Sequence, residues 1–200
     1  SNVPVPTITS AAYNASTGAL VVSGPNLLAL SGAANDIDAS MLVLTGEGGD
    51  TYTLTDSANV NISSASAFTV SLSATDKAVV NRILNKNGTS STSATVYNLA
   101  ANEDWATGAG AAVNVVDAAG NGITVSNVAV PTISSATYNT SSGLLLVTGT
   151  GYLNLSGAAN DIDASKFTFT GSAIGTYTLT NTADVDVSSA TAFGLTLSAT

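Results

Sequence analysis

The chain has 200 residues, of which 13 are Asp or Glu and only 4 are Lys or Arg, so its net charge at neutral pH is −9. It contains no His and no Cys, which excludes disulfides, Ser–His–Asp and Cys–His catalytic sets, and the common zinc sites. Clustered basic residues and long apolar runs are also missing, so we expect a non-catalytic protein with no nucleic-acid partner and no membrane insertion.

Short alternating runs between turn residues predict β-strands along most of the chain. They are predicted at 7–13, 19–23, 41–45, 51–55, 60–63, 68–73, 95–99, 112–116 and 122–127. In the sixth of these strands, Phe68, Val70 and Leu72 share one face and should point into the core. About nine short strands at this spacing are typical of a two-sheet antiparallel sandwich.

One segment, SATDKAVVNRILNKNG at 73–88, interrupts the β pattern and predicts a short helix near 75–86. Ser73 followed by Asp76 has the spacing of a capping box at the start of a helix, and Asn87-Gly88 is a stop signal. The apolar stripe that should pack over one end of the sandwich is Val79, Val80, Ile83 and Leu84. The basic residues of this segment should lie on its solvated outer face.

The sequence repeats itself after the first unit. VPTITSAAYN at 5–14 returns as VPTISSATYN at 130–139, a shift of 125 positions, and the match continues without a gap to AFTVSLSAT at 67–75 and AFGLTLSAT at 192–200. Residues 1–129 are therefore predicted to form one complete unit, and residues 130–200 the first part of a second, in a protein that continues with further units. The expected fold class is all-β, with tandem antiparallel sandwich units that each carry one inserted helix.

The end of the unit, VVDAAGNGITVSNV at 115–128, resembles the ending of bacterial immunoglobulin-like repeats. The motif that carries the resemblance is a D-x-x-G-N turn before the last strand, formed by Asp117, Gly120 and Asn121. Repeats of this kind are strung in tens through giant secreted adhesins and other cell-surface or matrix proteins. The resemblance implies an immunoglobulin-like sandwich, an extracellular or cell-surface location, type I secretion without a cleaved N-terminal signal and, often, calcium. The helix at 75–86 departs from a minimal repeat of this family.

The loop SGAANDIDAS, at 31–40 and again at 156–165, contains the candidate metal ligands. In an extended chain Asp36 and Asp38 leave the same face while Ile37 points into the core, and Asn35 adds an amide oxygen. The second unit repeats this set as Asn160, Asp161 and Asp163. Calcium takes ~6–8 oxygen ligands, and the acids that could complete the shell are Glu103, Asp104 and Asp117. The alternative, which the sequence leaves open, is a structural Asx turn before a strand.

Trp105, in NEDWATG, is the only Trp of the chain. It is a candidate sugar-stacking residue, and the alternative is a core position. The function we expect is a non-catalytic structural module of a long extracellular bacterial protein, such as an adhesin stalk, a surface-layer component or a filament of a biofilm matrix. The expected partners are neighbouring repeat units, with self-assembly into fibres or a lattice as an extension. The alternative is a ligand-binding adhesin module, in which loops around 101–111 contact a glycan or a host protein.

Overall fold

The structure is a computed structural model that describes residues 5–62, 64–110, 112–155, 157–172, 175–187 and 189–198. The chain forms two compact units, unit 1 (Ser1–Val128) and unit 2 (Ala129–Thr200). Within the described ranges, none of the helices combines the length and the apolar character needed to cross a bilayer.

Unit 1 is built from a mixed β-sheet and a helix. Its elements are β1 (Ser10–Asn14), β2 (Ala19–Ser23), β3 (Leu42–Thr45), β4 (Thr51–Thr53), β5 (Ala67–Ser71), α1 (Ala74–Ile83), β6 (Asn98–Ala101) and β7 (Gly122–Ser126). The strand order is β4-β3-β6-β7-β1-β2-β5. Neighbouring strands are antiparallel except β1 and β7, which are parallel. The prediction of a purely antiparallel arrangement is therefore wrong at this pair, because the first and last strands of the unit run in the same direction.

The sheet of unit 1 curls around one core. Its two parts are joined where Asn98 of β6 pairs with Gly122 of β7. Leu44 of β3 and Leu99 of β6 belong to the same buried cluster as Val22 of β2, which lies in the other part of the sheet. The chain is thus mostly β, with a single continuous sheet folded over a shared core, which is consistent with a sandwich-like fold.

Local alternation located the early strands better than the late ones. β2 has the predicted bounds, and Phe68, Val70 and Leu72 are buried as predicted. The strand predicted at 95–99 is shifted to β6, and no strand forms at 112–116. Val60 makes only an isolated bridge, to Ile37, and Ser63, the last residue of that predicted strand, lies outside the described residues.

α1 lies within the predicted segment and is capped as predicted. Oγ of Ser73 accepts a hydrogen bond from the amide of Asp76 at 3.1 Å. The reciprocal bond of a capping box is replaced, because the amide of Ser73 donates to Oγ of Ser57 at 3.0 Å and the Asp76 carboxylate turns into the protein. The buried members of the predicted apolar stripe are Val80, Ile83 and Leu84.

Unit 2 repeats the first half of unit 1. Its strands are β8 (Thr132–Asn139), β9 (Leu144–Thr150), β10 (Thr168–Gly171), β11 (Gly175–Thr178) and β12 (Ala192–Thr196). They form a three-stranded sheet in the order β12-β9-β8 and a β10–β11 hairpin. The register is the same in both units, since Tyr138 pairs with Leu145 as Tyr13 pairs with Leu20. The counterpart of α1 would begin at Ala199, which lies outside the described residues.

Candidate functional site

The repeated loop of unit 1 is held in place by a buried isoleucine. Two 3₁₀ turns, Ala33–Asn35 and Ala39–Met41, flank the segment that contains Ile37. Ile37 is fully buried and forms isolated bridges with Val60 and with Ala106. The prediction that Ile37 points into the core is confirmed.

Two of the candidate ligands in this loop serve as local turn residues. Oδ1 of Asp38 accepts hydrogen bonds from the amide of Ser40 at 3.0 Å and from its hydroxyl at 2.7 Å. Nδ2 of Asn35 donates to the carbonyl of Ser31 at 2.8 Å. The bond from the Ser40 amide to Asp38 is that of an Asx turn, and the bond of Asn35 is likewise local, so the structural alternative accounts for both side chains.

Asp36 differs from Asp38, because it keeps a carboxylate oxygen free of turn bonds. Its Oδ1 is buried and has no hydrogen-bond partner among the described residues. Its backbone carbonyl accepts bonds from Thr107, at 3.3 Å from the amide and 2.7 Å from the hydroxyl. A buried carboxylate oxygen without a partner is costly, and in the described part of unit 1 both Oδ1 of Asp36 and Oε2 of Glu103 are in this position.

The loop of unit 2 has the same local structure. Gly157 and Gly32 both have φ of 101°, in the left-handed region that glycine tolerates best. Asp163 caps its turn through Ser165, with Oδ1 2.9 Å from the amide and 2.5 Å from the hydroxyl. Oδ1 of Asp161 is buried and, within the described ranges, lacks a hydrogen-bond partner, as does its counterpart in unit 1.

Unit 2 adds two acids that sequence reasoning missed. Asp184 and Asp186 stand where unit 1 has Asn59 and Asn61. Oδ1 of Asp184 accepts the Ala164 amide at 2.8 Å, and Oδ1 of Asp186 accepts the Gly157 amide at 3.0 Å. The signal was available in the sequence as ADVDV at 183–187 in place of ANVNI at 58–62.

These acids change the electrostatics around Asp161. Burial, hydrogen bonding to Asp186 and the charges of Asp186 and Asp184 raise the pKa of Asp161 above its ordinary value. Nearby like charges disfavour the ionised form of a carboxyl group, and a bound cation would relieve this repulsion. The arrangement in unit 2 therefore favours a cation more strongly than the arrangement in unit 1, where amides replace Asp184 and Asp186.

Asp117 is engaged elsewhere in unit 1. Its Oδ2 accepts the amide of Ile8 at 2.7 Å, and its Oδ1 accepts Nδ2 of Asn121 at 2.9 Å. Glu103 also has a structural bond, from the amide of Val115 to Oε1 at 3.2 Å. In the part of the chain that the structure describes, no group of three or more acidic side chains is placed to hold a metal ion.

Trp105 lies in the core of unit 1 and has no exposed surface. Its Nε1 donates to the carbonyl of Val115 at 2.6 Å, and its ring centroid lies 6.0 Å from that of Phe68. Its backbone carbonyl accepts the amide of Asp38 at 2.9 Å. A sugar-stacking ring must be exposed, so this geometry favours the alternative, a core position.

Among the described residues, the carboxylate with the most hydrogen bonds is that of Asp76, which the sequence marked only as a capping residue. It is fully buried, and Tyr52, Thr55, Asp56 and Ser57 donate to it from hydroxyls and backbone amides at 2.6–3.1 Å. Burial opposes ionisation, but hydrogen bonds from Ser57, Tyr52 and the amides outweigh it and lower the pKa of Asp76 to about 2. A carboxylate saturated in this way has a structural role.

Comparisons of this chain with protein families, with curated proteins and with solved structures found no match. Inferences about its function therefore depend on its own residues and geometry. The relevant features are the repeated loops, the saturated polar groups and the parallel pairing of the first and last strands of unit 1.

Proposed function

We propose that the chain is a load-bearing structural part of a long extracellular bacterial protein, such as an adhesin stalk, a surface-layer component or a matrix filament. Each unit would be an immunoglobulin-like module in a tandem series. The acidic, Thr-rich composition without Cys supports a surface location, and the buried Trp105 leaves the alternative of a ligand-binding module without its proposed platform.

The observation that carries this proposal is the parallel pairing of β1 and β7. Ser10 pairs with Gly122 and Asn14 with Ser126, so the chain enters β1 at one end of the pair and leaves β7 at the other end. Tension between the two ends of unit 1 then pulls these strands in opposite directions along their axes. Because the hydrogen bonds run across the strands, they are loaded together rather than one after another.

The hydrogen bonding of three acids in unit 1 also supports a structural role. Asp38, Asp76 and Asp117 are each held by bonds to neighbouring backbone or hydroxyl groups. Asp76 is fully buried, and buried polar groups that are satisfied in this way rigidify a fold. Residues used in this way are not positioned for proton transfer or for nucleophilic attack.

Single-molecule force spectroscopy tests the proposal directly. The native chain has no Cys, so a pair of introduced cysteines defines the attachment points uniquely. Val5→Cys with Ala129→Cys loads the β1–β7 pair in shear. Val5→Cys with Ala119→Cys loads the same pair from one end, because residue 119 precedes the Gly122 end of β7. All three positions are exposed, so the substitutions should not disturb the fold.

The expected result is a rupture force several times higher in the shear geometry than in the peeling geometry. Forced unfolding is governed by the unfolding barrier, and shear requires several bonds to break at once. Equal forces in the two geometries would remove the main support for a load-bearing role.

Calcium is a further part of the proposal. Calcium prefers carboxylate ligands. In the described residues Asp161, Asp184 and Asp186 are not placed as a ready-made ligand set, but the charges of Asp184 and Asp186 act on Asp161, and Asp161 has a buried Oδ1 without a hydrogen-bond partner there that a cation would satisfy. The unit 1 loop offers Asp36 with Asn59 and is the weaker candidate, because amides replace two of the acids. A bound cation would neutralise the acids and stiffen the loop.

A further inference from the structure

Unit 2 exposes the apolar residues that unit 1 buries on one particular face. Ile133 is 58% exposed, whereas Ile8, its counterpart 125 positions earlier, is 4% exposed. Tyr138 is 46% exposed and its counterpart Tyr13 is 1% exposed. In unit 1 these positions are covered by the second half of the unit, residues 76–128.

In unit 1 the second half contacts this face through specific hydrogen bonds and one aromatic contact. The Tyr13 hydroxyl donates to Oδ1 of Asn81 on α1 at 2.7 Å. The amide of Ile8 donates to Asp117 at 2.7 Å. Phe68 packs against Trp105. Each of these three partners belongs to the second half of the unit.

An apolar groove lies in unit 2 at the position that the Trp105 segment occupies in unit 1. The groove has a volume of about 320 Å³, and its lining includes Ile133, Ile162, Phe167 and Phe193. Phe193 is the counterpart of Phe68, which packs on Trp105, and Ile162 is the counterpart of Ile37, which bridges to Ala106. The groove is therefore shaped by the same residues that hold the second half of unit 1.

Two strand edges lie open beside the groove. Within the described ranges, β8 ends its sheet, whereas its counterpart β1 pairs with β7 on that side. In the described part of unit 2, β10 pairs with β11 alone, whereas its counterpart β3 also pairs with β6. Open edges present rows of backbone donors and acceptors to an incoming strand.

Some of the residues that donate hydrogen bonds to Asp76 in unit 1 have counterparts in unit 2. Tyr177 and Thr182 stand where Tyr52 and Ser57 donate to Asp76 in unit 1. The amide of Ser198 donates to Oγ1 of Thr182 at 3.4 Å, as the amide of Ser73 donates to Oγ of Ser57 in unit 1. Tyr177 is exposed and accessible to an incoming carboxylate.

We propose that the groove and the open edges of β8 and β10 form a docking site for a second-half segment of this repeat, with the sequence of residues 76–128. The segment adds strands equivalent to β6 and β7 to the open edges and inserts its Trp into the groove. This inference goes beyond the load-bearing role and does not depend on it.

A binding experiment with the full-length chain tests the proposal. A fluorescently labelled synthetic peptide of residues 76–128 is titrated with the 200-residue chain, and fluorescence anisotropy and sedimentation velocity are recorded. The expected result is a one-to-one complex in which the amides of β8 are protected from hydrogen exchange. A peptide with Trp105→Ala should bind at least about tenfold more weakly, because buried aromatic anchors dominate binding energies.

Variants of unit 2 locate the site. Tyr138→Ala and Ile133→Ser should weaken binding by at least about tenfold without changing the stability of the free chain, because both residues are exposed there. Leu146→Ala is the matched control. Leu146 is 43% exposed, and its counterpart Val21 remains 38% exposed in the complete unit 1, so the second half does not cover this position and binding should not change.

A joined chain provides a second readout if the free peptide is insoluble. Thr200 is the counterpart of Thr75, which precedes Asp76, so residues 76–128 attached directly after Thr200 stay in register. Slower hydrogen exchange of the β8 amides in this chain supports the proposal.

Three results would overturn the proposal. The first is that the peptide does not bind and that hydrogen exchange of the β8 amides is unchanged in the joined chain. The second is that the peptide binds equally well to the Tyr138 and Ile133 variants. The third is that the chain associates with itself and Tyr138→Ala abolishes this association, since the occupant would then be a second copy.

Discussion

The carboxylate of Asp117 accepts a hydrogen bond of 2.7 Å from the backbone amide of Ile8, which lies 109 positions earlier in the chain. The same carboxylate accepts a bond from Asn121, which is almost fully buried. One side chain in the turn before the last strand thus fixes the segment that leads into the first strand. The D-x-x-G-N turn on which the family resemblance depends has a structural task at this position.

Asp117→Asn should destabilise unit 1 by ~2 kcal/mol, because hydrogen bonds to a charged group are worth about 1.5–3 kcal/mol. An amide cannot accept from both Ile8 and Asn121 as the carboxylate does. Urea unfolding followed by the fluorescence of Trp105, which is buried in unit 1, measures the change. Asp104→Asn is the control, since this side chain is exposed. Equal effects of the two substitutions would contradict the role assigned to Asp117.

The stability of unit 1 should fall in acid as Asp76 is protonated. The pKa of Asp76 is lowered from 3.8 to about 2 in the folded chain, so its stabilising effect is complete above pH ~4 and is lost as the pH falls towards 2. Asp76→Asn should reduce this pH dependence and destabilise the unit on the order of 3 kcal/mol at pH 7, because buried donors lose their acceptor.

Glu47 provides the comparison for this pH dependence. Hydrogen bonds from Thr92 and Asn85 lower the pKa of Glu47 to about 2, but its carboxylate is not buried. Glu47→Gln should therefore remove less of the acid sensitivity than Asp76→Asn. Urea midpoints measured between pH 2 and pH 5 distinguish the two variants, and a larger effect at Glu47 would show that Asp76 is not the dominant group.

Gly24 and its counterpart Gly149 should not tolerate a side chain. A Cβ at Gly24 would lie 1.8 Å from the carbonyl oxygen of Thr7, and one at Gly149 equally close to that of Thr132. Gly24→Ala should destabilise unit 1 by ~3 kcal/mol, because the backbone must move to relieve the overlap. Gly122→Ala is the matched control, since nothing lies within 4 Å of its Cβ position. Thermal unfolding of both variants tests the difference.

Calcium should raise the midpoint of thermal unfolding of unit 2, and excess chelator should reverse the shift. Because ligand binding to the folded state stabilises it by mass action, the shift should grow with calcium concentration. Asp161→Asn should abolish it, whereas Asp36→Asn should leave it in place, since unit 2 contains the additional acids Asp184 and Asp186. Hydrogen exchange of the 157–167 amides assigns the effect to unit 2. No shift would leave both loops as structural turns.

The features that the sequence predicted correctly are local ones. Ser73 and the apolar stripe of α1 located the helix, because capping and helical spacing depend on residues within a few positions of one another. Alternation located β2 and the buried face of β5 for the same reason. The register of β8 with β9 follows that of β1 with β2 because the second hairpin repeats the first, with Tyr-Asn and the turn glycine at the same positions.

The features that the sequence did not predict depend on contacts between residues that are far apart in the chain. Alternation in β1 and β7 indicates two strands but contains no information on whether they pair in parallel. Asp76 has the spacing of a capping residue, yet its carboxylate points into the core, where it accepts hydrogen bonds from Tyr52 and Ser57. The segment 112–116 alternates like a strand, but the bond between Trp105 and Val115 holds it in an irregular path.

The pairing of β1 with β7 also has a consequence for synthesis. β1 emerges from the ribosome early, and its partner at Gly122 emerges only after the rest of the unit has been translated, which takes several seconds. During that interval the nascent first half presents the same open edge and apolar face that unit 2 shows. An open strand edge favours pairing with other chains, so folding of the unit is tied to the rate at which its second half is produced.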